Sequence, residues 1–183
     1  MSDLGQLAVI IASVRKDRLG PTVATWFLDH VPPGTDVIDL ATLDLPDHLA
    51  GGGDTELFTK RIERADAVVV ITPEYNRGYP GALKTAIDTV VAEWQAKPIG
   101  FVSYGGISGG LRAVEQLRLV FAELHAVTVQ AAVSLPHAWD RFDEQGKLRE
   151  PRHPDSAAAT MLGQLAWWSE ALRQARATSA FAL

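Results

Sequence analysis

The chain has 183 residues, 47% of them hydrophobic and 21% charged, with a formal net charge of −5 and no cysteine. That length buries one sizeable core, the missing cysteines exclude disulfides, thiolate metal sites and cysteine nucleophiles, and the negative balance disfavours a nucleic-acid partner. The start, Met1-Ser2-Asp3, is polar and acidic and the first apolar run is only a strand long, which argues against a signal peptide or a membrane span and for the cytoplasm. No repeat, low-complexity tract or linker divides the chain, so a single domain over 1–183 is expected.

Leu7-Ala8-Val9-Ile10-Ile11-Ala12 is an unbroken apolar run, as a strand buried on both faces requires. A polar loop from Ser13 to Leu19 follows, and Gly20-Pro21 opens a helix with Pro at its first position, where no N–H is needed. Val37 to Leu40 reads as a short second strand after the Pro32-Pro33-Gly34 turn, Glu56 to Arg64 as a helix, and Ala67 to Ile71 as the third strand. Leu83, Ile87, Val90, Val91 and Trp94 recur at helical spacing up to Pro98. Ile99 to Ser103 is the fourth strand, and a glycine-rich loop, Tyr104 to Gly110, leads to a helix carrying Leu111, Val114, Leu117, Phe121 and Leu124. Val127 to Gln130 is the fifth strand; 134–154 reads as a long irregular segment before a last helix with Met161, Leu165, Trp168 and Leu172.

Strict alternation of strand and helix implies an α/β fold: a parallel sheet between two layers of helices, with right-handed crossovers. Five strands favour the flavodoxin-like order 2-1-3-4-5, a three-layer sandwich. In it the chain reverses between strands 1 and 3, and ligands bind at the carboxyl ends of those strands. The two loops richest in chemistry flank that point.

The loop after strand 1 can hold a phosphate: Ser13 offers a hydroxyl, Arg15 and Arg18 offer charge-assisted donors, and the following helix points its positive end nearby. The loop after strand 3, Thr72 to Asp88, reads T-P-E-Y-N-R-G-Y-P-G-A-L-K-T-A-I-D. It carries far more chemical variety than a turn needs. In the third loop, Gly105 and Gly106 let backbone N–H groups come close to a ligand, where they can stabilise negative charge.

The spacing P-E-Y-N-x-x-x-P-x-x-L-K-x-A-x-D from Pro73 to Asp88 resembles the NAD(P)H-dependent FMN reductase family, flavodoxin-like oxidoreductases that include quinone, azo-dye and metal-oxyanion reductases. The resemblance spans about residues 7–130. It implies FMN as cofactor, with NADPH or NADH as co-substrate, and ping-pong hydride transfer to a small acceptor. It also places Pro73, Glu74, Tyr75 and Asn76 around the flavin ring, with no side chain as acid or base. Against the family pattern G-S-x-R-x-x-S-x-N, the chain keeps Ser13 and Arg15 but has Ala12, Arg18 and Gly20 elsewhere. Glu74 reads either as a flavin contact or as an acid favouring a helix N-terminus, and Tyr79 either as a lid or as packing. The alternative to the enzyme is a flavin-binding electron carrier.

Other classes lack their residues. A low-molecular-weight phosphatase needs a cysteine, and a receiver domain needs acids where Ala12-Ser13 and Ile71-Thr72 stand. Gly106-Ile107-Ser108-Gly109-Gly110 spells a hydrolase elbow by degeneracy alone. The five histidines show no metal-ligand spacing. Leu119 lies off the apolar stripe of its helix, and adjacent Trp167 and Trp168 cannot both face one core. This surplus implies a homodimer or homotetramer, unless the 134–154 segment covers it.

Overall fold

The computed structural model describes residues 4–181, and the reading of Met1 to Asp3 lies outside them. Strands β1 (Leu7–Ile11), β3 (Ala67–Pro73) and β4 (Pro98–Tyr104) are buried from end to end. Their sequences lack a polar face because helices cover both sides of the sheet. β2 (Asp36–Asp39) borders β1, and the parallel order is β2-β1-β3-β4-β5, as expected.

The period of two sends alternate residues of each strand into different cores. Val9, Ile11, Val69 and Ile71 join Val23, Phe27, Met161 and Leu165 beneath α1 (Gly20–Leu28) and α5 (Arg152–Thr178). Ile10, Val70 and Phe101 join Phe58, Ile62, Leu83, Ile87 and Leu117 beneath α2 (Thr55–Arg64), α3 (Gly81–Thr89) and α4 (Leu111–Glu123). No helix of the described residues is long and apolar enough to cross a membrane.

Two elements differ from the sequence reading, and a third is better anchored than it suggests. The helix expected from Leu83 to Trp94 stops at Thr89, and Val90 is extended. Two β-branched residues in succession weaken the helix there. Trp94 turns back so that its indole N–H donates to the Ile87 carbonyl, 3.0 Å, and its ring meets Phe121 edge-on. Its helical spacing was therefore real burial on a different backbone.

The fifth strand is also interrupted. β5 is only Val127–Thr128; the chain then bulges away and returns as β6 (Val133–Leu135), a sixth strand that also pairs with β4. The bulge is held by side chains. Arg118 of α4 donates to the carbonyls of Val129 and Gln130, and Gln164 of α5 accepts from the Ala131 N–H.

The 134–154 segment is mostly irregular, as read, but it is well anchored. It contains a 3-10 turn, Ala138–Asp140, and its Phe142 and Leu148 pack into the core beneath α1.

Candidate functional site

At the carboxyl ends of β1, β3 and β4 the loops surround a cavity of about 540 Å3. Arg15, Lys16 and Arg18 from the loop after β1 line one part of it; Pro73, Glu74, Tyr75 and Asn76 from the loop after β3, with Tyr104, Gly105 and Trp139, line the rest. A larger open groove of about 760 Å3 lies at the β5/β6 edge between α4 and α5, but its lining includes none of these loop residues. The smaller cavity sits where the strand order reverses and gathers the residues with chemistry.

Of the phosphate-loop residues, Arg15 and Lys16 stand exposed and in no ion pair among the described residues, with the Arg15 guanidinium 5.4 Å from the centre of the Tyr75 ring. Arg18 is engaged. It forms a two-pronged pair with Asp39 at the end of β2, 2.5 and 2.6 Å, and donates to the Ser13 carbonyl at 2.6 Å. Burial pushes the Asp39 carboxyl up, but the Arg18 guanidinium outweighs it and holds the pKa below the ordinary value. Arg18 thus fastens the loop, and its charge is already met.

Ser13 is fully buried and does not line the cavity; its hydroxyl accepts from Tyr104, 3.1 Å. Burial drives the Tyr104 phenol up to about 12, so it remains a donor. Gly20 makes this approach possible. A Cβ there would lie 2.5 Å from the Ser13 Oγ and 3.1 Å from the Tyr104 hydroxyl oxygen. The glycine that departs from the family pattern is the one that lets α1 close onto this bond.

Glu74 lines the cavity and also sits at a helix terminus, though at another helix than its own. Its carboxylate, with only 8% of the side chain exposed, accepts from the Ser108 hydroxyl at 2.7 Å, the Arg112 backbone N–H at 3.1 Å and the Arg112 guanidinium at 3.1 Å. It caps α4 from across the crevice, and α4 has no cap from its own preceding side chain. Burial raises its pKa, yet the bonds from Ser108 and Arg112 prevail and leave it below the ordinary value. Ser108, the serine of the hydrolase-like spelling, is spent on this bond.

Tyr75 and Gly78 exchange backbone hydrogen bonds of 2.8 and 3.0 Å, closing a two-residue turn in which Asn76 and Arg77 take positive φ values of 50° and 72°. Asn suits that conformation. Tyr79 does not line the cavity; it is partly buried and packs against the second core.

Gly105 uses its N–H internally, donating to the Leu135 carbonyl at 3.3 Å. Among the described residues the Gly106 N–H has no protein acceptor, and a side chain at Gly106 would meet nothing within 4 Å. Gly106 does not line the cavity, and its N–H is one of several open backbone donors of this loop, with those of Ile107 and Ser108. Two cavity residues, Tyr104 and Trp139, were not foreseen. Tyr104 was read as the first residue of a glycine loop. Trp139 lay in the irregular segment, where no periodicity marks a side chain's direction.

The cavity volume is that of a pocket for a cofactor-sized molecule. Unpaired cations and tyrosines gathered in one cavity suit a ligand with an anionic group and a flat ring, which FMN has. The model of a known family, NADPH-dependent FMN reductase, matches residues 6–140.

The chain belongs to the NADPH-dependent FMN reductase family.

It is similar to an NAD(P)H-dependent FMN reductase of Schizosaccharomyces pombe, 35% identical over 149 residues, covering 72% of this chain and 74% of that one. It is also similar to a quinone reductase of Pseudomonas putida, 32% identical over 168 residues, covering 84% and 90%. Among solved structures it resembles FerB of Paracoccus denitrificans, described as a flavoenzyme NAD(P)H:(acceptor) oxidoreductase. The TM-score is 0.74, with 24% identity over 91% of this chain and 97% of that one; this likeness speaks for the fold. As a member of the FMN reductase family the protein is an oxidoreductase with FMN as cofactor and NAD(P)H as co-substrate.

Proposed function

We propose that the crevice between the loops after β1, β3 and β4 holds FMN, and that the enzyme passes hydride from NADPH or NADH to a small acceptor: free flavin, a quinone, an azo compound or a metal oxyanion. The observation that carries this reading is the meeting of unpaired cations, Arg15 and Lys16, with tyrosines in one cavity at the switch point. Bound FMN supplies the hydride chemistry. Arg15 and Lys16 meet its phosphate; Pro73, Tyr75 and Asn76 meet its ring. Ser13, Arg18, Glu74 and Gly105 hold the loops in place rather than touch the ligand, because their polar groups are already bonded within the protein. An electron carrier docking on a protein needs an acidic rim, whereas the exposed charges lining this cavity, Arg15, Lys16 and Asp17, are positive on balance.

Titration with FMN, followed by flavin fluorescence, tests the reading. Arg15→Ala weakens FMN by about 1.5–3 kcal/mol, the range for a charge-assisted hydrogen bond, and weakens riboflavin far less. Absence of saturable FMN binding refutes the site.

The same reading includes one domain over 1–183, a cytoplasmic setting with its NAD(P)H, and pairing into a homodimer or homotetramer. Leu119 on α4 is 75% exposed and Trp167 on α5 is 58% exposed. The 134–154 segment sends Phe142 and Leu148 beneath α1 instead of covering them. Light scattering after size exclusion checks the assembly, and a monomer at micromolar concentration refutes it.

A further inference from the structure

We propose that Arg15 is a latch: its guanidinium covers the face of Tyr75 in the free protein, and a phosphate draws it off and uncovers that face for a flat ring. This rests on the proposed function and deepens it. The phosphate and the ring of the flavin then bind with positive coupling, and free inorganic phosphate is an effector of the ring site.

The platform under the latch is fixed. Tyr75 exchanges backbone hydrogen bonds with Gly78, 2.8 and 3.0 Å, and its neighbour Glu74 donates its N–H to the Tyr104 carbonyl at 3.0 Å. Arg77, inside the turn, is held through its carbonyl by the Gln116 side chain at 2.9 Å. Tyr75 is partly buried and lines the cavity.

The arm that covers it is free to leave. Arg15 is exposed, lines the same cavity and forms no ion pair among the described residues. Its guanidinium carbon lies 5.4 Å from the centre of the Tyr75 ring. A cation over an exposed ring is held weakly, whereas a phosphate offers it charge-assisted hydrogen bonds. The phosphate therefore wins Arg15 from Tyr75.

No other side chain of this loop combines the two contacts. Arg18 is bonded to Asp39 and to the Ser13 carbonyl, and the buried Ser13 hydroxyl is bonded to Tyr104. Asp17 lines the cavity with a charge that repels phosphate. Lys16, the other unpaired cation, lies over no ring among the described residues.

A ligand without phosphate, such as riboflavin, finds the Tyr75 face occupied and displaces Arg15 with nothing to offset the loss. A separate phosphate ion offsets it. The same ion competes with FMN for Arg15, so its effects on the two flavins have opposite signs. The coupling cannot exceed the strength of the contact that is broken. For an exposed cation–π contact this is about two- to fivefold in affinity.

The test titrates riboflavin and FMN into the flavin-free protein, followed by flavin fluorescence, in sodium phosphate and in sodium chloride of equal ionic strength at neutral pH. Phosphate raises riboflavin affinity about two- to fivefold and lowers FMN affinity. Arg15→Ala binds riboflavin equally in both salts. Tyr75→Leu keeps Arg15 and Lys16 for the anion but leaves Arg15 no ring to cover, so its riboflavin affinity is also indifferent to phosphate. As a second measure, the Arg15 δ-methylene protons, shifted upfield by the Tyr75 ring, move toward their unstacked position in NMR spectra when inorganic phosphate alone is added. Equal riboflavin affinity of the wild type in phosphate and chloride overturns the proposal. So do a phosphate effect that persists in Tyr75→Leu, which makes the anion a general stiffener of the loop, and Arg15 protons that do not move. Absence of saturable FMN binding by the wild type in chloride instead overturns the underlying reading, and the two failures are thereby told apart.

Discussion

Replacing Glu74 by alanine removes the joint between the loop after β3 and the start of α4. Three hydrogen bonds go: from the Ser108 hydroxyl at 2.7 Å, the Arg112 N–H at 3.1 Å and the Arg112 guanidinium at 3.1 Å. The backbone bond acts as a helix cap, worth about 1 kcal/mol. The Ser108 bond to a charged acceptor is worth about 1.5 kcal/mol, the lower end of the range for charge-assisted bonds. Arg112 is 45% exposed and water replaces its partner, so the ion pair adds at most about 0.5 kcal/mol. The expected loss is about 2–3 kcal/mol, or roughly 5–10 °C in Tm for a domain of this size, read by urea and thermal unfolding. Glu74→Gln keeps an acceptor oxygen and loses about half as much. The joint also fixes a sign with pH. The folded carboxyl titrates below its ordinary value of 4.5, so its contribution is complete above that value and disappears as pH falls through the lower folded one. The gap between wild type and Glu74→Gln must therefore narrow below about pH 4.5. A loss under about 0.5 kcal/mol for Glu74→Ala, or a gap to Glu74→Gln that is the same at neutral and acidic pH, refutes this account.

Asp39→Ala distinguishes fastening from ligation by Arg18: if Arg18 only anchors the loop, FMN affinity falls several-fold, whereas a rise in affinity means that the released guanidinium reaches the phosphate. Lys97, buried, donates to the Ile62 and Glu63 carbonyls at the end of α2, and burial with nearby Arg176 lowers its pKa to about 8. The unfolded chain, near 10.5, holds the proton longer, so between about pH 8 and 10.5 stability gains up to about 1.4 kcal/mol per pH unit. Urea midpoints of wild type against Lys97→Met across that range show this slope, and parallel curves rule it out.

The sheet and the crevice were legible in the sequence because buried parallel strands are unbroken apolar runs and because the loops beside the switch point are chemically dense. The family resemblance also placed Tyr75 and Asn76 at the cavity, and the donors of the first loop placed Arg15 there. The contributions of Ser13, Arg18 and Glu74 were harder to read. Each carries a group suited to a ligand, and only the fold reveals a nearer partner: Tyr104 is 91 residues from Ser13, Asp39 is 21 from Arg18, and Arg112 is 38 from Glu74. The end of α3 escaped notice because Trp94 is buried at a helical interval although it belongs to a separate 3-10 turn, Ala92–Trp94, beyond the end of α3. Trp139 was invisible because its direction is set by backbone bonds to Gly105 and Gly106, which leave no periodic trace.

The bulge between β5 and β6 has a consequence for how this protein behaves in a crowd. An open sheet border is a template on which another chain can grow. Here the two short strands leave little regular ladder, and Arg118 and Gln164 occupy the exposed carbonyls and amide between them. The arginine and the glutamine come from different helices, so both must be docked before the border is sealed. A chain caught with α5 undocked therefore displays a strand edge ready to recruit its neighbours, and the C-terminal helix is also one that keeps the molecules from sticking together.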